Sequence, residues 1–104
     1  MTPSRRSIKV LRRASREIAE ASAWWAANRP AVSEVFKEDL RLAFKNLSNY
    51  PFIGKLVEEA KFPGVRRIYL SRIRYHLYYR VSADDKAVEI LALWHASRGT
   101  GPGV

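Results

Sequence analysis

Polar and apolar residues alternate most regularly from Arg72 to Val81, which reads R-I-R-Y-H-L-Y-Y-R-V. The odd positions are Ile73, Tyr75, Leu77, Tyr79 and Val81; the even ones are Arg72, Arg74, His76, Tyr78 and Arg80. Side chains along a strand point to alternate faces. The pattern therefore predicts a strand with one apolar, aromatic face and one cationic face. The first face requires a packing layer, and the second requires solvent or an anionic partner.

Upstream, Ile8–Leu11 reads as a short strand. From Ala14 or Ser15 to Asn28 the spacing changes, with Ile18, Ala21 and Trp25 recurring every three or four residues, which predicts a helix. Ser15 is its expected N-cap and Glu17 an acidic residue of its first turn. Trp24 lies roughly 100° from Trp25 around such a helix, so one of the two belongs to a sheet edge or an interface. Proline disfavours helical geometry in the residue before it, so Asn28-Arg29-Pro30 ends the helix. A second helix is expected from Pro30 or Ala31 to Leu47 or Ser48, with the stripe Val32, Phe36, Leu40, Ala43, Phe44 and Leu47. The short connection predicts an antiparallel helical hairpin.

After the break Asn49–Gly54, Lys55–Pro63 reads as a loop with one strand-like or turn-like piece. Strands are expected at Val65–Leu70, Ile73–Val81 and Ala87–His95, joined by Ser71-Arg72 and Ser82–Lys86. Links this short predict an antiparallel meander. The last strand is apolar on both faces, as a central strand should be. Together these elements predict an α+β fold: an N-terminal strand, a helical hairpin, and a three-stranded antiparallel meander packed on the helices. The other sheet face stays open unless a partner or the tail covers it. One domain over 1–104 is expected, with flexible ends at about 1–6 and 99–104.

Composition adds an electrostatic constraint. The 104 residues carry 19 Lys+Arg against 10 Asp+Glu, a formal charge of +9. So dense a charge creates a long-range positive field that favours nucleic acid, an acidic protein or an anionic surface. With no cysteine and two histidines, neither disulfides nor a metal site is expected, and no cofactor motif is present. No apolar run approaches the roughly 18 residues that suggest a membrane span, and the basic N-terminus leads into no signal core. A cytoplasmic location is the expectation.

The cluster with chemical potential is basic: Arg66, Arg67, Arg74, His76, Arg80, His95 and Arg98. On neighbouring antiparallel strands several of these could share one face and hold phosphates, with Tyr75, Tyr78 and Tyr79 interleaved for stacking. The same residues also suit a solvated cationic face paired with Glu89 and the Asp84-Asp85 turn. His95 has the chemistry of a general acid or base, although a lone strand-end histidine is more often structural.

The order of elements and several local motifs resemble the RelE/ParE superfamily of toxins. The motifs are A-S-R-E-I at the start of the first helix, Leu47…Pro51-Phe52-Ile53-Gly54, and Gly64-Val65-Arg66-Arg67. Tyr78-Tyr79-Arg80-Val81 and Ile90–Arg98, ending in H-x-x-R, are the most specific. The resemblance implies the toxin of a type II toxin–antitoxin system, neutralised by an acidic-tailed antitoxin that fits the positive charge. It divides by target. ParE-like members inhibit DNA gyrase, whereas RelE-like members cut mRNA on the ribosome. The RelE-like nucleases have an arginine three residues before the tyrosine matched by Tyr79, and His76 stands there; no tyrosine follows Trp94. The match therefore implies the ParE-like branch with no catalytic residues, in which Arg66, Arg67, Arg74, His76, Arg80, His95, Arg98 and Trp24 contact the target or antitoxin. The alternative is a RelE-like ribosome-dependent endoribonuclease using Arg66, His76, Arg80, His95 and Arg98.

Overall fold

A computed structural model describes residues 5–104. The flexible end expected at about 1–6 falls partly outside the described residues. The elements are β1 (Ser7–Val10), α1 (Arg12–Asn28), a 3-10 turn (Pro30–Val32), α2 (Ser33–Asn49), β2 (Lys55–Leu56), β3 (Arg66–Leu70), β4 (Tyr75–Val81) and β5 (Ala87–His95). The sheet order is β1-β5-β4-β3-β2. The expected meander β3-β4-β5 is antiparallel, and β1 lies parallel to β5 at the edge. The strand-like piece after the break is the two-residue β2, so the sheet has five strands.

The hairpin covers one sheet face through most of the stripe that the sequence displays; Val32, expected to open it, lies in the 3-10 turn and is exposed. Phe36, Leu40, Ala43 and Leu47 of α2 and Ala14 and Ala21 of α1 pack on Leu77, Tyr79, Val88, Ile90 and Leu93. Each large side chain fully buried here contributes about 1.5–3 kcal/mol. Leu11 is extended and its carbonyl accepts the Ser15 N–H at 2.9 Å. The helix therefore starts before Ser15, which is an interior residue and not the cap. Pro30–Val32 forms a 3-10 turn and not the start of α2.

Two local irregularities alter the faces expected from alternation. Ser71–Arg74 is a turn, and β4 begins at Tyr75 rather than Ile73. Arg74 has φ +64° and donates its N–H to the Leu70 carbonyl at 2.7 Å. Arg72 and Arg74 thus leave the cationic strand face to which alternation assigned them. In β5, Tyr78 pairs with Ala92 but Tyr79 pairs with Ile90, so Leu91 is an extra residue. Such a bulge switches the facing of everything beyond it. Val88 and Ile90 face the helices before it, and Leu93 does so after it.

The second sheet face is not bare. Val65, Tyr78, Leu91 and Ala92 form a small buried cluster with Leu11, Val57, Ala60, Trp94 and Val104. The tail, expected to be flexible at about 99–104, folds back over this cluster. Pro102 is buried, and Lys61 N–H donates to the Val104 carbonyl at 2.9 Å. Gly101, at φ +101°, makes the bend, a conformation that glycine adopts without steric cost.

Candidate functional site

The basic residues that the sequence groups together separate in space. Cross-strand pairing places Arg67 beside Tyr78, Tyr69 beside His76 and Arg80 beside Glu89 on the face away from the helices. His76 also pairs with Trp94 there. Arg66 pairs with the helix-facing Tyr79, and His95 with the helix-facing Tyr75. Arg74 is in the turn before β4. The five residues of the nuclease alternative are therefore divided between the two sides of the sheet.

On the outer face, Arg67 donates to the Tyr78 hydroxyl at 3.3 Å. The rings of Tyr69 and His76 lie 4.9 Å apart, and Tyr78 is 6.4 Å from His76. His76 Nδ1 is buried without a hydrogen-bond partner. Burial lowers the imidazole's pKa from its ordinary value, and the Arg67 charge lowers it further, because both disfavour the protonated ring. Arg80 donates from Nε to Glu89 at 2.8 Å, with its guanidinium 5.5 Å from the Phe62 ring. Arg98 lies 4.0 Å over the Trp94 ring, and Trp94 Nε1 donates to the Arg98 carbonyl at 2.8 Å. The face offers cations on an aromatic floor, with one arginine already neutralised by a carboxylate.

On the helix side, Arg66 reaches the Gly54 carbonyl at 2.9 Å and stacks over Phe52 at 5.3 Å. It ties the 50–54 segment to β3. His95 Nδ1 accepts the Ser97 N–H at 3.1 Å and lies 2.7 Å from Ser97 Oγ. The tautomer this selects carries its proton on Nε2. Trp25 stacks on Phe36 in the core, whereas Trp24 is 50% exposed. The edge tryptophan anticipated from the helix wheel is therefore Trp24. It lines a cleft with Trp25, Arg29, Arg74, Tyr75 and His95. Alternation gave no reason to include Arg29, which follows the last residue of α1; the Trp24-Trp25 pair was the available signal.

Among the described residues no three His, Cys, Asp or Glu side chains gather to hold a metal ion, and no helix is long and apolar enough to cross a membrane.

A two-helix layer on a five-stranded mixed sheet is the architecture shared by the RelE/ParE toxins. The family model for the ParE toxin of the type II toxin–antitoxin system parDE matches residues 8–99, and the chain belongs to that family. Among solved structures, the chain is similar to the chromosomal ParDE toxin–antitoxin system from P. aeruginosa, with 21% identity over 90% of this chain and 99% of that one and a TM-score of 0.71. It is also similar to the RelBE2 toxin–antitoxin complex from Mycobacterium tuberculosis, with 22% identity, 88% and 98% coverage and a TM-score of 0.63. The isolated E. coli RelE toxin aligns at 19% identity over 90% and 87% of the two chains, with a TM-score of 0.58. No curated protein sequence matches the chain.

Proposed function

We propose that this toxin acts as a ParE-like inhibitor of DNA gyrase in the cytoplasm and is neutralised by a cognate acidic antitoxin. The observation that carries the reading is the separation of the basic set. Arg66 and His95 lie on the helix side and Arg80 is engaged by Glu89; in the family resemblance, His76 stands where the nucleases have an arginine. A general acid, a base and phosphate-binding arginines must converge on one scissile bond, and this set does not converge. The ParE family match and the +9 charge support the same reading. In this role Arg67, His76 and Arg98 form the contact surface, and no residue performs chemistry.

The test is gyrase supercoiling with purified toxin, with and without antitoxin. Inhibition that the antitoxin relieves is the expected result; unimpaired supercoiling, with no gyrase–DNA cleavage complex in expressing cells, rejects the target. A second reading, ribosome-dependent mRNA cleavage, draws on Arg67, His76 and Arg80 sharing the outer face. Growth arrest with intact mRNA rejects it.

A further inference from the structure

The cleft at the end of the helical hairpin is separate from the outer sheet face. Its volume is 680 Å³, within the size range of small-molecule sites, about 300–1,000 Å³. Aromatic rings build it in sequence from the core outward. Trp25 stacks on Phe36 at 6.1 Å, Phe36 meets Tyr75 edge-on at 5.7 Å, and Tyr75 meets His95 edge-on at 4.9 Å. Trp24 touches Trp25 edge-on at 6.0 Å and is otherwise half exposed. These contacts hold the wall in place while leaving indole surface available for stacking.

Three arginines line the cleft, Arg29, Arg72 and Arg74, and two of them are not compensated. Arg72 is held by Asp39 and Glu38 of α2. Arg29 and Arg74, both exposed, make no ion pair among the described residues. The nearby carboxylates of α1 are occupied: Glu17 accepts from Leu93 N–H and Arg13, and Glu20 lies 3.8 Å from Arg16. With Nδ1 committed to Ser97, His95 retains Nε2–H as a further donor.

We infer that this cleft binds a nucleotide, with the base stacked on Trp24 and the phosphate held by Arg29 and Arg74. An acidic peptide would satisfy the arginines through its carboxylates, but those carboxylates leave the indole face uncovered unless an apolar side chain accompanies them. A nucleotide uses both features, since every base has a π-face and guanidinium binds phosphate with a matching fork. The nucleotide is either a free one or one residue of a single strand, and the chemistry of recognition is the same in the two cases.

The test is calorimetric titration of the purified toxin with 5′-AMP, 5′-GMP and adenosine, and with a short single-stranded oligonucleotide with and without a 5′-phosphate. The phosphorylated ligands bind more tightly than adenosine. Trp24→Ala weakens binding by about tenfold, and Arg29→Gln and Arg74→Asn do so comparably; asparagine keeps the left-handed backbone at 74 accessible. Arg41→Gln, which removes the same charge from the outer groove of the hairpin, leaves affinity unchanged. Binding of mononucleotides identifies free nucleotide as the source, and binding of strands alone identifies single-stranded nucleic acid. Absence of binding, equal loss in Arg41→Gln and Arg29→Gln, or Trp24-dependent binding of an acidic peptide in place of nucleotides overturns the inference. Arg29→Gln alters only an exposed side chain, so its result stands even if Trp24→Ala unfolds.

Discussion

The Tyr79 hydroxyl accepts the Gly54 N–H at 2.8 Å, and the Tyr79 ring occupies the space a side chain at 54 would need. A Cβ on Gly54 would lie 2.8 Å from Cε1 and 2.9 Å from Cζ, with the hydroxyl oxygen closer still. Tyr79 is fully buried at the centre of the core and cannot swing away. Burial raises its hydroxyl pKa, and the Gly54 bond partly offsets the rise.

Gly54→Ala is therefore expected to destabilise the fold by about 1–3 kcal/mol through overpacking. Tyr79→Phe removes the oxygen but leaves the Gly54 N–H without its acceptor, a loss of about 1–3 kcal/mol. The double variant is expected to be less destabilised than the sum, because the phenylalanine ring lacks the closest atom. Urea unfolding of the four proteins measures the coupling, and strict additivity would show that the close approach is not energetic.

Glu17 connects the hairpin to the sheet in a second way. β1 stops opposite Ile90, so the outer edge of β5 continues without a strand partner. The Glu17 carboxylate, mostly buried, accepts the Leu93 N–H at 3.1 Å and is backed by Arg13 at 3.4 Å. Glu17→Ala should cost about 1–3 kcal/mol by leaving that amide unpaired, with Glu17→Gln recovering part of the loss. Hydrogen exchange at Leu93 offers a local readout: faster exchange in the alanine variant is expected, and unchanged protection would assign the amide to another acceptor.

How far the sequence could be read follows from these same residues. The α2 stripe and the alternation Tyr75-Leu77-Tyr79 identified the helix-facing core, because each is repeated within one regular element. The sheet edge was less legible. That Glu17 serves Leu93, 76 positions away, depends on where β1 ends against β5, which no local pattern encodes. The facing of Leu93, Trp94 and His95 depends on the bulge at Leu91, and a strand apolar on both sides gives no clue to one inserted residue. Arg66 and Arg67 part by alternation alone, whereas the separation of His95 from His76 results from register and that bulge. The tail's apolar residues, Pro102 and Val104, were masked by the glycines around them, Gly99, Gly101 and Gly103.

His76 gives the outer face a pH dependence. Its folded pKa lies below the ordinary 6.5 because of burial and the Arg67 charge, so the unfolded chain takes up the proton first. Where the unfolded state binds more protons, stability rises with pH. The contribution is thus present in full above about 6.5 and is lost as pH falls through the lower folded value. Denaturant midpoints should decline across that window in the wild type and less steeply in His76→Phe. Parallel profiles for the two proteins would place the titration elsewhere.

Glu89 restrains the charge of the same face. It neutralises Arg80 across the β4–β5 ladder at 2.8 Å, both side chains being only partly exposed. Glu89→Gln keeps a hydrogen-bond acceptor of similar shape but removes the charge, taking the formal total from +9 to +10, since 9 plus the lost negative charge is 10. A cost of about 1 kcal/mol in stability is expected, as for a partly solvated pair. Association with the acidic antitoxin proposed above should respond in the opposite direction. Freed from its carboxylate, Arg80 adds to the positive field that steers encounter, so the association rate should rise by about two- to threefold at low salt and converge with wild type as salt screens the field. Stopped-flow mixing at several ionic strengths separates this from a change in dissociation. An unchanged rate at low salt would place the antitoxin's encounter surface away from the outer face.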